Sequence, residues 1–310
     1  LTLLDALAHL AGIADLFLSH DRDIHFRCDD AIVMHSAGQL RVLRRARGFA
    51  PRSLRLPRAL AGRYLAFGAD LKNTVALGFR DEIAVSPHVG DLEAPTALDG
   101  AAQVADAFPA FFKETPQSVI VDLHPDMHAV RLGEDWARQR SLPVHRVQHH
   151  HAHAAACMAE YGLEHALGLV LDGTGWGPDG RIWGAELLHV VPGGYVRLGT
   201  FDDVPLPGGD AAVRRPARQL LARWFDAGVA FDSGWLARLG VGEDECEAWR
   251  MQCARGINAP RTHAAGRVFD AFSVLAGTAP LQVTWEGEAA VALESAARRA
   301  GGDSRGRVVP

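Results

Sequence analysis

Apolar and polar positions alternate with two different periods along this chain, and the periods predict its elements. Leucines at 3, 4, 7 and 10 have helical spacing, so a helix is expected over residues 1–12. Short apolar runs predict strands at residues 14–18, 31–34 and 40–51, with a charged loop at 22–30. Residues 52–60 contain Pro57 and several arginines and are expected to form a linker.

Along the rest of the chain, predicted strands alternate with predicted helices, and the C-terminal part is predicted to be mainly helical. Strands are predicted at residues 64–79, 83–89, 118–123 and 143–147, and a hairpin at 167–191 with its tip at 172–180. Helices are predicted at residues 94–112, 127–140, 149–161, 212–227, 235–239, 246–255, 267–275 and 286–299, while 305–310 has no predicted fold. This succession predicts an α/β protein.

Composition narrows the class of protein without deciding its function. The chain has 310 residues, 48% hydrophobic and 22% charged, which is typical of a globular protein with a sizeable core. A net charge of −5 does not favour nucleic-acid binding, and no apolar run approaches the roughly 20 residues that a membrane helix needs. Four scattered cysteines form no CxxC pair, so a reducing, cytoplasmic setting is expected.

Four of the fifteen histidines fall between positions 149 and 153. His149 and His153 are four residues apart, so on a helix both rings lie on one face and can bind one metal ion. Asp172 follows at the end of an apolar run. Two imidazoles and a carboxylate suit iron, zinc or manganese and leave coordination positions open. The plainer alternative is a solvated stretch or a set of core histidines.

Glycine-rich segments suggest places for a phosphate. The segment Asp172-Gly173-Thr174-Gly175 follows an apolar strand. Actin-type domains use such a turn to bring backbone N–H groups to phosphate. A simple glycine-rich hairpin loop would have the same sequence pattern. Lys72-Asn73-Thr74 between two strands could be a second phosphate loop or an exposed turn. Gly266 precedes a predicted helix, whose N-terminus either faces an anion or is simply packed.

Taken together, these residues resemble the HypF family of carbamoyltransferases, which act in [NiFe]-hydrogenase maturation. Residues 14–30 and 44–51 resemble the end of the YrdC-like domain of that family. The transfer domain of the family, which is similar to TsaD, is matched by a longer series of motifs. These are residues 68–74, 88–92, 147–153, 172–175, 183–186, 207–210, 266–270 and 285–290.

The resemblance implies an actin-like, TsaD-like transfer domain at residues 59–310, preceded by the end of a YrdC-like domain at 1–58. It implies a divalent metal, iron or zinc, bound by His149, His153 and Asp172, with Lys72 supporting developing negative charge. It also implies ATP or carbamoyl-adenylate contacts, which fall on Lys72, Asn73, Thr74, Gly173, Thr174, Gly175, Gly208, Gly209, Asp210, Gly266, Arg267 and Asp270.

The implied reaction makes carbamoyl adenylate from carbamoyl phosphate and ATP, then carbamoylates the C-terminal cysteine of HypE for cyanide ligand synthesis. The sequence lacks most of the YrdC-like core and the second glycine loop and further aspartate of the transfer domain. It is therefore expected to be an internal fragment, truncated at its C-terminus. The alternatives are a tRNA threonylcarbamoyl transferase-like enzyme and a non-catalytic fragment that docks HypE.

Overall fold

The computed structural model describes residues 3–22, 27–36 and 38–300. The predicted first helix is present as α1, Leu3–Leu10, and is followed by the antiparallel hairpin β1, Ile32–Ser36, and β2, Gln39–Arg44. The strand predicted at residues 14–18 is wrong, because this segment forms no ladder and leaves Leu16 and Leu18 fully in solvent. Residues 305–310 lie outside the described residues.

A six-stranded sheet forms the first half of the fold. Its elements, in chain order, are β3 (Leu54–Arg55), β4 (Tyr64–Ala66), β5 (Ala76–Phe79), β6 (Glu82–Val85), α2 (Pro95–Phe112), β7 (Ser118–Asp122), α3 (His128–Gln139) and β8 (Val144–Val147). The strand order is β3-β6-β5-β4-β7-β8. β4, β7 and β8 run parallel, so their carboxyl ends meet at one edge. Leu54 pairs with Ile83, so part of the predicted linker forms the edge strand β3.

The core of this half lies between the sheet and the helices α2 and α3. Leu65, Phe67, Leu77 and Val119 are almost completely buried there. Apolar residues on the strands and on the inner faces of both helices meet, as the alternating and helical periods predict.

The helix α4, His149–Tyr161, has the bounds that the sequence predicts. The Gln148 side chain accepts a hydrogen bond from the backbone N–H of His151 and caps the helix start. Gly162, with φ 64°, ends the helix in the left-handed conformation that glycine adopts most easily. The helix connects the first sheet to the second.

The second sheet is built on three long antiparallel strands. They are β9 (Ala166–Trp176), β10 (Ile182–Val191) and β11 (Gly194–Thr200), and the sequence did not predict β11. The predicted hairpin tip at 172–180 is too long, because Asp172 to Trp176 belong to β9. Trp183 pairs with Gly175 and Ala185 pairs with Leu171, so residues 172–174 bulge opposite Gly184.

Helices complete the second half. After β12 (Val204–Pro205) come α5 (Asp210–Arg214), α6 (Ala217–Asp226), α7 (Ser233–Leu239), α8 (Glu243–Arg255), β13 (Arg261–Thr262), α9 (Ala265–Leu275) and α10 (Glu288–Ala300). The single helix predicted over 212–227 is two helices, because Pro216 cannot continue α5. Leu220, Leu221, Leu239 and Trp249 form the second core. None of the helices described is long and apolar enough to cross a bilayer.

Candidate metal centre

The helix α4 begins where the parallel strands β7 and β8 end, and it carries the two predicted histidine ligands. His149 and His153 lie one turn apart, and their Nε2 atoms are 3.2 Å from each other. Two ring nitrogens this close face a common point. The i, i+4 spacing therefore places both rings on one face of the helix, as the sequence predicts.

Asp172 reaches the same point from the second half of the chain. The bulge in β9 turns its carboxylate towards α4, and Oδ2 lies 3.1 Å from Nε2 of His149. The same buried Oδ2 lies 3.7 Å from Nε2 of His150 and has no well-aligned hydrogen-bond donor among the described residues. One donor atom each from His149, His153 and Asp172 lie within 4.8 Å of one another.

Asp122 belongs to the same cluster of side chains, although no sequence motif predicted it. It ends β7, where it pairs with Val147 of β8, so it stands beside the start of α4. Its Oδ2 accepts a hydrogen bond from Nδ1 of His149 at 2.7 Å, which leaves Nε2 of that ring facing His153 and Asp172. A carboxylate on the far nitrogen of a metal-binding histidine fixes the ring and raises its basicity. No local sequence signal marks Asp122, because only strand pairing brings it to His149.

The charges around His149 suit a cation. Burial alone would lower the pKa of His149, but its contacts with Asp122 and Asp172 outweigh burial and raise that pKa to about 9. Burial lowers the pKa of His150 to about 4, so its ring stays neutral at pH 7. Nδ1–H of His149 faces Asp122 and Nε2 faces Asp172, so a divalent cation bound at Nε2 would replace a proton there.

Neighbouring glycines give the centre its close packing. A Cβ on Gly175 would collide with the ring of His150, and a Cβ on Gly266 would lie 2.9 Å from Cα of Gly173. The start of α9 is thus packed directly on the Asp172 bulge, as the simpler reading of Gly266 predicts. Thr174 lies on the same bulge and is exposed.

The residues present fit a divalent metal. Two imidazole nitrogens and one carboxylate oxygen converge, the oxygen lacks another well-aligned donor, and a second carboxylate orients one ring. This donor set is common to zinc and non-haem iron sites and leaves positions free for a ligand.

Comparison with known proteins shows the family of this chain. Residues 60–160 match the domain family described as "HypF Kae1-like domain", and residues 168–308 match "Carbamoyltransferase, Kae1-like Domain, second subdomain". This chain belongs to the HypF family. Its Kae1-like region is actin-like, so the predicted α/β fold class is confirmed.

Individual HypF proteins are similar over nearly the whole chain. Carbamoyltransferase HypF2 of Cupriavidus necator is 41% identical over 298 residues, covering 94% of this chain and 36% of that protein. Carbamoyltransferase HypF of Rhodobacter capsulatus is 40% identical, covering 96% and 40% respectively. This HypF-family chain thus spans about two fifths of the length of these curated relatives.

Two solved HypF structures have the same fold. A full-length HypF crystallised in a phosphate- and nucleotide-bound form superposes with a TM-score of 0.85 at 35% identity, covering 94% of this chain and 45% of that one. HypF of T. kodakarensis superposes with a TM-score of 0.88 at 32% identity, covering 100% and 41%.

The predicted lysine loop of this HypF-family chain is well formed but separate from the metal ligands. Lys72 has a left-handed backbone, φ 52°, and its exposed ammonium pairs with Glu286. The Asn73 amide is buried, and its Nδ2 donates to the carbonyls of Phe67 and Ala69, at 2.8 and 2.7 Å, so it supports the loop. Its Oδ1 has no hydrogen-bond partner among the described residues. Thr74 follows Asn73 and is half-buried. Among the described residues, no contact joins Lys72 to the metal ligands.

The predicted Gly208-Gly209-Asp210 segment is also apart from the metal centre. The N–H groups of Gly208 and Gly209 donate to backbone carbonyls of Asn258 and Leu206, at 2.7 and 3.0 Å. Asp210 opens the short helix α5. Both glycine N–H groups are therefore already used within the fold.

Arg267 and Asp270, both predicted as cofactor contacts, pair with each other. Nε of Arg267 lies 2.8 Å from Oδ2 of Asp270, and both side chains are buried. Burial raises the pKa of Asp270, and burial lowers the pKa of the neighbouring Arg223 to about 10. In this region of the HypF-family chain, Gly266 packs against Gly173, the residue after Asp172.

A buried acid–base pair behind the centre was also missed. Oε1 of Glu186 lies 2.7 Å from Nε2 of His263 and accepts hydrogen bonds from the N–H groups of Gly184 and Ala185. Gly184 stands opposite the Asp172 bulge, so this pair supports the bulge from behind. The sequence marks Glu186 only as part of a family motif, and it does not mark His263 as a candidate site residue.

Proposed function

We propose that this chain is the carbamoyl-transfer part of a HypF protein and that it binds a divalent metal, iron or zinc, through His149, His153 and Asp172. The observation that carries the proposal is the convergence of these three donor atoms within 4.8 Å, with Asp122 behind His149. When bound, the metal supplies Lewis-acid chemistry to phosphate and carbamoyl oxygens.

The substrate of this part is then carbamoyl adenylate, made from carbamoyl phosphate and ATP, and the acceptor is the C-terminal cysteine of HypE. The carbamoyl carbon passes from the phosphate oxygen to the cysteine sulfur: the C–S bond forms, the C–O bond breaks, and AMP leaves. The thiol must lose its proton for this attack. Membership of the HypF family and the nucleotide- and phosphate-bound relative support this choice of substrate.

Several residues of this chain have separate roles in the proposed reaction. Asp122 holds the ring of His149, and the neutral His150 fills the space beside Gly175. Lys72 stands on a fixed loop, where its only charged partner among the described residues is Glu286, and an anionic substrate group can compete for it. Division of the chain at residue 58, with a YrdC-like end before it, is part of the same proposal.

The direct experiment supplies carbamoyl adenylate to the metal-loaded chain together with HypE. Mass spectrometry should find one added carbamoyl group on the C-terminal cysteine of HypE, and His149→Ala should abolish it. Binding of HypE by the metal-loaded chain without any transfer would instead support the docking fragment.

A further inference from the structure

His124 lies beside Asp122, the residue that orients His149, although no motif or comparison assigns it a role. It follows β7, two residues after Asp122, and its backbone N–H donates to Oδ1 of Asp122 at 2.9 Å. The other oxygen of the same carboxylate accepts the hydrogen bond from His149. One carboxylate thus fixes both a metal-binding ring and the backbone of His124.

The proton on the His124 ring has a defined position. Nδ1 accepts a hydrogen bond from the backbone N–H of Asp126 at 3.0 Å. Because that N–H can only donate, Nδ1 of the neutral ring is unprotonated and the ring proton is on Nε2. Pro125 restricts the backbone of His124 to extended conformations and keeps this turn rigid. In the part of the chain that the structure describes, Nε2–H has no acceptor.

The His124 ring also contacts the second half of the chain. It contacts Trp176 edge to face, with ring centroids 5.4 Å apart. Trp176 ends β9, four residues after Asp172, and its carbonyl accepts a hydrogen bond from Gln148 at 3.1 Å. A half-buried ring fixed at its backbone, at Nδ1 and on one edge presents one donor, Nε2–H, on the turn that follows Asp122.

We propose that His124 is a ligand-binding residue of this centre, and that its Nε2–H donates a hydrogen bond to a phosphoryl oxygen of the ligand that the metal holds. The inference rests on the proposed function, because it needs a metal that binds a phosphoryl ligand. It adds a recognition group that is not a metal ligand. A pre-oriented neutral donor binds an anionic oxygen without a long side chain to order.

Two substitutions separate the roles of the two ring nitrogens. His124→Asn keeps an acceptor near Nδ1 for the N–H of Asp126 but removes the distal donor. His124→Gln keeps a donor near Nε2 but loses the local acceptor. The matched control is His145→Asn, an exposed histidine on the neighbouring strand β8. Each variant is made in the full 310-residue chain, loaded with Zn²⁺ and titrated by calorimetry with AMP and with inorganic phosphate.

We expect all variants to keep the Zn²⁺ affinity of the wild type. His124→Asn should weaken anion binding about tenfold or more, the usual loss of a hydrogen bond to a charged group, whereas His124→Gln and His145→Asn should stay within about threefold. A larger effect with AMP than with phosphate identifies a nucleotide phosphate as the ligand, and equal effects identify free phosphate; both support the proposal.

Unchanged anion binding by His124→Asn overturns the inference and leaves the proposed function standing. Loss of anion binding in His124→Gln but not in His124→Asn also overturns it, because the role would then be structural. A wild-type chain that binds no Zn²⁺, or binds it without either anion, contradicts the proposed function itself and the inference with it.

Discussion

Nδ1 of His149 donates a hydrogen bond to Oδ2 of Asp122 at 2.7 Å, and this contact joins the carboxyl end of β7 to the first turn of α4. The contact turns the other nitrogen of His149 towards His153 and Asp172. A pair of histidines on a helix becomes a candidate metal centre because a parallel strand places a carboxylate behind one of them.

Asp122→Asn tests this relationship. The amide keeps the shape of the carboxylate but loses its charge, so it orients His149 less firmly and makes its ring less basic. We expect metal affinity to fall about 10- to 100-fold without loss of the fold. Competition with a chelating dye measures the affinity, and Asp135→Asn, an exposed residue on α3 that pairs with Arg138, is the control. Equal affinities in the two variants would show that Asp122 does not support the centre.

The buried pair Glu186 and His263 is expected to stabilise the fold. His263→Ala leaves a buried carboxylate without its ring partner, and we expect the free energy of unfolding to fall by about 2–4 kcal/mol. Urea denaturation measures the change, with His145→Ala on the surface of β8 as the control. A loss no larger than that of the control would contradict this role.

The same pair predicts a pH dependence. Burial opposes ionisation of Glu186, but the His263 ring and the N–H groups of Gly184 and Ala185 outweigh it and hold the pKa of the carboxyl below its usual value. A lowered folded-state pKa contributes stability above the usual glutamate pKa, and that stability is lost as the pH falls through the lowered value. The difference in unfolding free energy between wild type and His263→Ala should therefore narrow in acid. A difference that widens below about pH 4 would contradict this sign.

The close approach of Gly266 to Gly173 predicts that Gly266 does not accept a side chain. A Cβ at Gly266 would lie 2.9 Å from Cα of Gly173, and backbone on both sides leaves little room to move. We expect Gly266→Ala to lower the free energy of unfolding by about 1–3 kcal/mol and to weaken metal binding, because the bulge carries Asp172. Gly242→Ala, where a Cβ meets open space, should change neither. Thermal unfolding together with metal titration measures both effects.

Cysteine reactivity offers a check that is independent of the metal. Burial raises the pKa of Cys253 to about 11 and also raises the pKa of Cys246, so both remain thiols at pH 8. Cys157 is exposed on α4. Iodoacetamide at pH 8 should label Cys157 and reach Cys246 and Cys253 only after unfolding. Peptide mass spectrometry measures the order, and early labelling of Cys253 would contradict the packing around α8.

Local sequence signals predicted most of the helices and strands and the three candidate metal ligands, but not the residues that support those ligands. The bounds of α4 follow from its capping Gln148 and terminating Gly162, and the i, i+4 histidines follow from helix geometry. Asp122 and the Glu186–His263 pair were not predictable, because strand pairing and the packing of α9 bring them into place. The strand predicted at 14–18 failed because its apolar residues find no sheet among the described residues.

Asn73, Arg267 and Asp270 are polar residues in motifs, but their side chains are used within the fold. A motif marks that a residue type is needed at a position, and it does not distinguish a ligand contact from support of a loop or helix. Their roles as nucleotide contacts remain predictions.

Metal binding is the most direct test of the central claim. Calorimetric titration of the metal-free chain with Zn²⁺ and, without oxygen, with Fe²⁺ should give one site per chain. His149→Ala, His153→Ala and Asp172→Ala should each lose it, whereas His151→Ala should keep it, because that ring lies on the same helix but against Tyr195. Tight one-to-one binding that survives loss of His149 or Asp172, or no binding by the wild type, would contradict the account.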